Sequence, residues 1–169
     1  MTDEIINKVA GSGLVNIEMD DLLPPGERVL LDIAPALFEG LLLREKDFRA
    51  FVAEHDWEQY RGKFVAVHCS ADAIVPTWAY MLVGVHLEPV AAGVVFGTMD
   101  DLLRELFREA IQNLDVETYH DKRVLIHGCG RIPVPPSAFL DISVRLKPVV
   151  KSLMFGEACS TVPIFKKSL

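Results

Sequence analysis

The chain has 169 residues, half of them hydrophobic, and a formal net charge of −7. That length supports one domain with a sizeable core, and that hydrophobicity excludes intrinsic disorder. The acidic balance excludes a role built on broad attraction to nucleic acid or to an anionic membrane. Lys147, Lys151, Lys166 and Lys167 form the one local basic group, read as a solvated surface. No apolar run reaches the length of a membrane span, and the acidic start Met1-Thr2-Asp3-Glu4 is unlike a signal peptide. A cytoplasmic location is the resulting expectation, and in that compartment three cysteines are poor material for structural disulfides.

In chain order, Glu4 to Val9 reads as a short helix stopped by Gly11-Ser12-Gly13 and Leu14 to Glu18 as an edge strand. Asp20 to Gly26, with its Asp-Asp and Pro-Pro pairs, is a loop, and residues 1–27 together form an N-terminal extension. Arg28 to Ile33 is a core strand. Ala34 to Leu43 is a turn followed by a short strand at Leu41 to Leu43. Arg44 to Tyr60 is helical, with Phe48, Phe51 and Val52 on one face.

Lys63 to His68 is a buried strand, Thr77 to Leu87 a helix ended before Pro89, and Gly93 to Gly97 a short buried strand. Asp100 and Asp101 open the next helix, where carboxylates favour the positive end of the dipole. Its stripe is Leu102, Leu103, Leu106, Phe107, Ala110, Ile111 and Leu114. Lys122 to Ile126 is a further strand and Gly128-Cys129-Gly130 a turn. Ser137 to Phe155 is a last helical region, broken or kinked at Pro148 and stopped by Gly156. No internal repeat or low-complexity segment is evident. Strands alternate with helices from Arg44 onward, so the fold class is α/β: a three-layer α/β/α sandwich with a mainly parallel sheet, in a single domain over residues 1–169.

The chemistry gathers after the strand that ends at His68. His68, Cys69, Ser70 and Asp72 bring an imidazole, a thiol, a hydroxyl and a carboxylate together within five residues. Open α/β sheets carry their sites outside the carboxyl ends of strands. Cys129 also follows a strand, so in one parallel sheet both thiols lie at the same end. Thiolate and neutral imidazole are zinc ligands, and cysteine is the usual ligand of iron–sulfur clusters. The candidate metal site is therefore Cys69, Cys129 and Cys159, with Asp72, His127 or His68 as a fourth ligand. A straight helix from Ser137 to Phe155 spans about 28 Å and carries the chain to the opposite sheet end. The residues from Phe155 to Cys159 recover only about 14 Å. Cys159 thus joins the others only if the chain reverses near Pro148 or if a second copy supplies it, which admits a homodimer.

Three stretches carry a resemblance: Leu43 to Arg49, Cys69 to Tyr80 with its Cys-Ser-Ala-Asp-Ala run, and Lys151 to Pro163 with Phe-Gly-Glu-Ala-Cys-Ser-Thr. From Arg28 onward the chain resembles a bacterial family of small uncharacterised proteins, a domain of unknown function. The resemblance implies no activity, metal or site residue, only occurrence alongside iron–sulfur cluster assembly factors.

Three functions remain open. One is a cysteine-based site for zinc or an iron–sulfur cluster. Another is a thiol enzyme with Cys69 as nucleophile, just before a helix start, and His127 or His68 as base. The third is a non-catalytic module that binds a protein partner. His55, His86 and His120 read as solvated or structural, and Trp78 and Tyr80 as core anchors. Neither Gly128-Cys129-Gly130 nor Gly11-Ser12-Gly13 makes a phosphate-binding loop.

Overall fold

The computed structural model describes residues 13–128, 130–157 and 160–168. Among them are β1 (Leu14–Glu18), β2 (Arg28–Asp32), α1 (Glu45–Glu54), β3 (Phe64–His68), α2 (Thr77–Leu87), β4 (Gly93–Phe96), α3 (Met99–Gln112), β5 (Arg123–His127), α4 (Pro136–Leu146), β6 (Ser152–Glu157) and β7 (Ser160–Lys166). The mainly parallel α/β class expected from the alternation is the class observed. The strands divide between two sheets: β2-β3-β4, all parallel, and β1-β5-β6-β7, in which only β7 runs antiparallel. None of the described helices is long and apolar enough to cross a membrane.

The chain forms two compact units. The inserted unit runs from Pro25 to Glu105; the flanking unit takes the chain up to Pro24 and from Leu106 onward, so the boundary falls within α3. In the inserted unit Val65 and Val67 of β3, Leu31 and Ile33, Phe48 and Val52 of α1, and Ala79, Val83 and Leu87 of α2 form one buried cluster. The central strand is apolar without alternation because it is covered on both faces, as parallel strands usually are.

The two units repeat one another, which corrects the reading of a chain without repeats. The order is strand, helix, strand, helix, strand in both: β2-α1-β3-α2-β4 and β1-α3-β5-α4-β6. Each residue from Glu45 to Gly97 has its counterpart 59 positions later, without a gap, up to Gly156. Asp56 accepts the Glu58 amide at 3.1 Å and Asp115 accepts the Glu117 amide at 3.2 Å. The Gly62 amide donates to Val90 O at 2.9 Å, and the Asp121 amide to Val149 O at 2.8 Å. Phe48, Val52, Ala79, Val83 and Leu87 are buried in one copy; Phe107, Ile111, Ala138, Ile142 and Leu146 are buried in the other. Gly97 and Gly156 close the third strands with φ of 129° and 121°, a region that favours glycine. The repeat is also written in the sequence, as identities scattered singly or in pairs along the whole offset, among them Phe48-Arg49 with Phe107-Arg108, Val75-Pro76 with Val134-Pro135 and Phe96-Gly97 with Phe155-Gly156.

The largest local correction lies at the last helical region. α4 ends at Leu146, and residues 152–157 are strand β6 rather than helix. Pro148 lacks the amide a further turn needs. The Lys151 amide instead donates to Lys122 O, and β6 runs parallel to β5. The reversal near Pro148 is thus present, and Gly156 lies in a strand instead of stopping a helix. Strand β7 was not foreseen. The helix over Arg44 to Tyr60 stops at Glu54 and gives way to a 3-10 turn, Trp57–Tyr60. Leu41 to Leu43 supplies only isolated bridges from Leu42 to Phe38 and to Ile74. The expected helix from Glu4 to Val9 lies outside the described residues.

Candidate functional site

Each unit turns the carboxyl ends of its parallel strands into a polar rim. In the inserted unit, Asp32 ends β2 directly opposite His68, the last residue of β3. The Asp32 carboxylate accepts the Ser70 hydroxyl at 2.5 Å, the Ser70 amide at 3.0 Å and the Ala34 amide at 2.9 Å. Burial alone raises this carboxyl, but the Ser70 and Ala34 bonds and the nearby His68 bring it below its ordinary value. Asp32 therefore ties the chain after β3 to the end of β2. Cys69 is half-buried in that chain, its Sγ 3.8 Å from the Ala71 carbonyl. Burial, then the neighbouring Cys69 and Asp32, push the Tyr80 hydroxyl up, and the Tyr80 ring meets Phe96 edge-on at 4.9 Å. Asp72 is exposed. α2 begins only at Thr77, so Cys69 does not stand at a helix start and sequence adjacency gives its thiol no dipole.

In the flanking unit, β1 places Glu18 opposite His127, the last residue of β5. His127 is nearly buried, with its side chain 12% exposed. Its Nδ1 lies 3.2 Å from Glu157 Oε2 at the end of β6; its Nε2 lies 3.3 Å from Asn16 Oδ1 and 3.6 Å from Glu18 Oε1. Beyond β1, the Asp20 carboxylate accepts the Arg131 amide through Oδ2. The side chain of Asp20 is only 8% exposed, and its Oδ1 is buried without a hydrogen-bond partner among the described residues. A buried carboxylate oxygen left unpaired carries a desolvation cost that a cation would relieve. Gly128 lies under the Phe155 ring, where a Cβ would come within 2.6 Å of Cζ, and Gly130 lies against Asp20. Phe155 meets Phe139 edge-on at 5.3 Å, repeating the Tyr80–Phe96 contact, and both rings wall an apolar cavity of about 250 Å³.

The predicted site residues are thus distributed as follows. His127 is at the flanking rim, and His68, Cys69 and Asp72 belong to the inserted unit. Cys129 and Cys159 lie outside the described residues. β3 and β5 belong to different sheets, so a shared sheet end does not join Cys69 to Cys129. Among the described residues, no group of three or more His, Cys, Asp and Glu side chains is arranged to hold a metal ion. Sequence reasoning missed Asp32, Glu18, Asp20 and Glu157. Their signal was weak: single carboxylates at or just past strand ends, meaningful only once the strands were paired.

The remaining histidines separate clearly. His55 is not a solvated helix end: its Nε2 lies 3.0 Å from the Tyr60 hydroxyl, and its ring contacts Phe51 and Trp57. Burial lowers its pKa, against the opposing pull of Asp56. His86 Nδ1 bonds the Leu82 carbonyl, and His120 is exposed beside Glu117.

Residues 3–167 match a family model described as "Protein of unknown function (DUF2480)". No curated protein and no solved structure matches the chain.

Proposed function

Starting from a chain that belongs to the DUF2480 family, we propose that the protein binds a metal ion at the rim of its flanking unit. Cys129, Cys159 and His127 are the ligands, and the Asp20 carboxylate completes the set. The observation that carries this reading is the buried Asp20 Oδ1 beside Gly130, without a hydrogen-bond partner among the described residues, on a rim where His127 and Glu157 meet across parallel strands. In the sequence Cys129 stands between Gly128 and Gly130, and Cys159 follows Glu157 by two positions.

The donor chemistry suits zinc: two thiolates, one imidazole and one carboxylate make a tetrahedral set. A carboxylate on the other imidazole nitrogen fixes the ring and raises its basicity, the role open to Glu157 at Nδ1; the metal takes Nε2, which exchanges its approach to Asn16 Oδ1 and Glu18 Oε1 for the ion. Comparison of the two copies supports specialisation of this rim. His68 and His127 occupy equivalent positions, but Ser70 stands where the flanking unit has Cys129, and Thr98 where it has Glu157. Cys69 and Asp72 belong to the other copy and take no part in this site.

The test is elemental analysis and a visible spectrum of protein purified without chelator. One zinc per chain is expected. Cys129→Ser and Cys159→Ser should lose it while keeping the wild-type far-ultraviolet circular dichroism; Cys69→Ser should retain it. Stoichiometric iron and sulfide with visible absorption would replace zinc by an iron–sulfur cluster, for which cysteine is the usual ligand. A metal-free wild type whose three thiols react with a thiol reagent at one common rate would overturn the site.

A further inference from the structure

The repeat exposes a difference at the third strands. β6 carries an antiparallel strand on its outer side, paired from Ser152↔Lys166 to Glu157↔Ser160. β4, its counterpart, ends the β2-β3-β4 sheet with no strand beyond it among the described residues. Natural edge strands are normally protected by charges, proline, bulges or a covering element. β4 has none of the first three: no residue from Val90 to Met99 is charged or proline, and its pairing with β3 is unbroken from Gly93 to Phe96. Its apolar side chains are open as well, Val94 at 39% and Phe96 at 69% exposure.

The ladder shows which backbone groups are available. The Gly97 amide donates to Val67 O, so Val95 and Gly97 turn toward β3. Alternate residues face opposite ways, which leaves the amides and carbonyls of Val94 and Phe96 on the open side. An antiparallel partner that meets these two residues completes the arrangement already built on β6.

We propose that the occupant is β4 of a second copy, joined about a two-fold axis with Val95 opposite Val95 of the partner copy. In that register Val94 faces the partner's Phe96, and Phe96 faces the partner's Val94. Both are hydrogen-bonded pairs, each joining an aromatic to a β-branched side chain, a favoured cross-strand combination. An antiparallel pair of identical strands is self-complementary, so the assembly closes at two copies. Charge permits self-pairing at this edge. The chain carries −7 overall, which opposes self-association over most surfaces, whereas the segment from Pro89 to Met99 sets no charge against its own image. This inference does not depend on the metal site.

The test is the molar mass of the full chain by light scattering over a concentration series, with Val94→Pro and Val94→Lys. Proline removes an amide that points outward, which edge strands tolerate, and lysine places a charge in the pairing face. Wild type should reach twice the 18.8 kDa monomer mass, and both variants should remain monomeric with unchanged circular dichroism. Hydrogen exchange of the wild-type segment around Val94 and Phe96 should slow as concentration rises, a readout that needs no variant. A wild type that stays monomeric throughout, or a dimer that survives both substitutions, overturns the proposal.

Discussion

Asp32→Asn tests whether one carboxylate holds the chain that carries Cys69. Asparagine keeps the shape and one carbonyl oxygen. That oxygen can still accept the Ser70 and Ala34 amides, now at 3.0 and 2.9 Å from Oδ1. The new amide group then faces the Ser70 hydroxyl, which can rotate from donor to acceptor. The substitution therefore removes charge assistance from three bonds without orphaning a donor. Charged hydrogen bonds contribute about 1.5–3 kcal/mol and neutral ones about 0.5–1.5; solvent screening of this partly exposed group brings the total loss to about 1–2 kcal/mol. In a chain of this size the melting temperature should fall by about 2–8 °C.

Both tryptophans, Trp57 and Trp78, lie in the inserted unit, so fluorescence-detected urea unfolding reports on this unit directly. The pH dependence has a fixed sign. The folded Asp32 carboxyl lies below the ordinary value of 3.8, so the unfolded chain takes up the proton first on acidification. The stabilisation is complete above 3.8 and is lost as pH falls through the folded value. The gap between wild type and Asp32→Asn should close over that same acid range. Equal stability at neutral pH, or a gap unchanged into acid, would refute the reasoning.

Other outcomes follow from individual contacts. Gly128→Ala sets a Cβ 2.6 Å from Phe155 Cζ and should cost about 1–3 kcal/mol by overpacking; a thermal melt by circular dichroism that matches wild type would show that the ring yields freely. Phe48→Ala and Phe107→Ala remove equivalent, fully buried rings and should each cost about 3–5 kcal/mol; a loss below about 1 kcal/mol for either in denaturant titration breaks the equivalence of the copies. His55 should titrate below 6.5 by NMR. Because its folded pKa is depressed, its contribution to stability is complete above 6.5 and lost as pH falls through the folded value; His55→Phe should flatten that part of the stability profile.

Much of the local structure was legible from residue order. Thr77 to Leu87 is the helix expected, because Pro76 fixes its entry and Pro89 stands beyond its end. The apolar run before His68 is the buried strand expected, and the clustering of polar chemistry at its carboxyl end is present as Asp32, His68 and Ser70. Residues 152–157 misled because an apolar run is compatible with helix or strand until a neighbour claims it, and here the claimant is β5, 29 positions earlier in register. The carboxylates Glu18, Asp20 and Glu157 were invisible as site residues for the same reason.

The sequence by itself determined the succession of strands and helices, the α/β class and the residues able to do chemistry, since periodicity, proline and side-chain type act over a few neighbouring positions. Only the tertiary structure decided that the strands form two sheets and which carboxylate meets which histidine. Those choices rest on strand pairing between distant segments, where the free energy comes from burial shared by both partners and is written in neither segment alone.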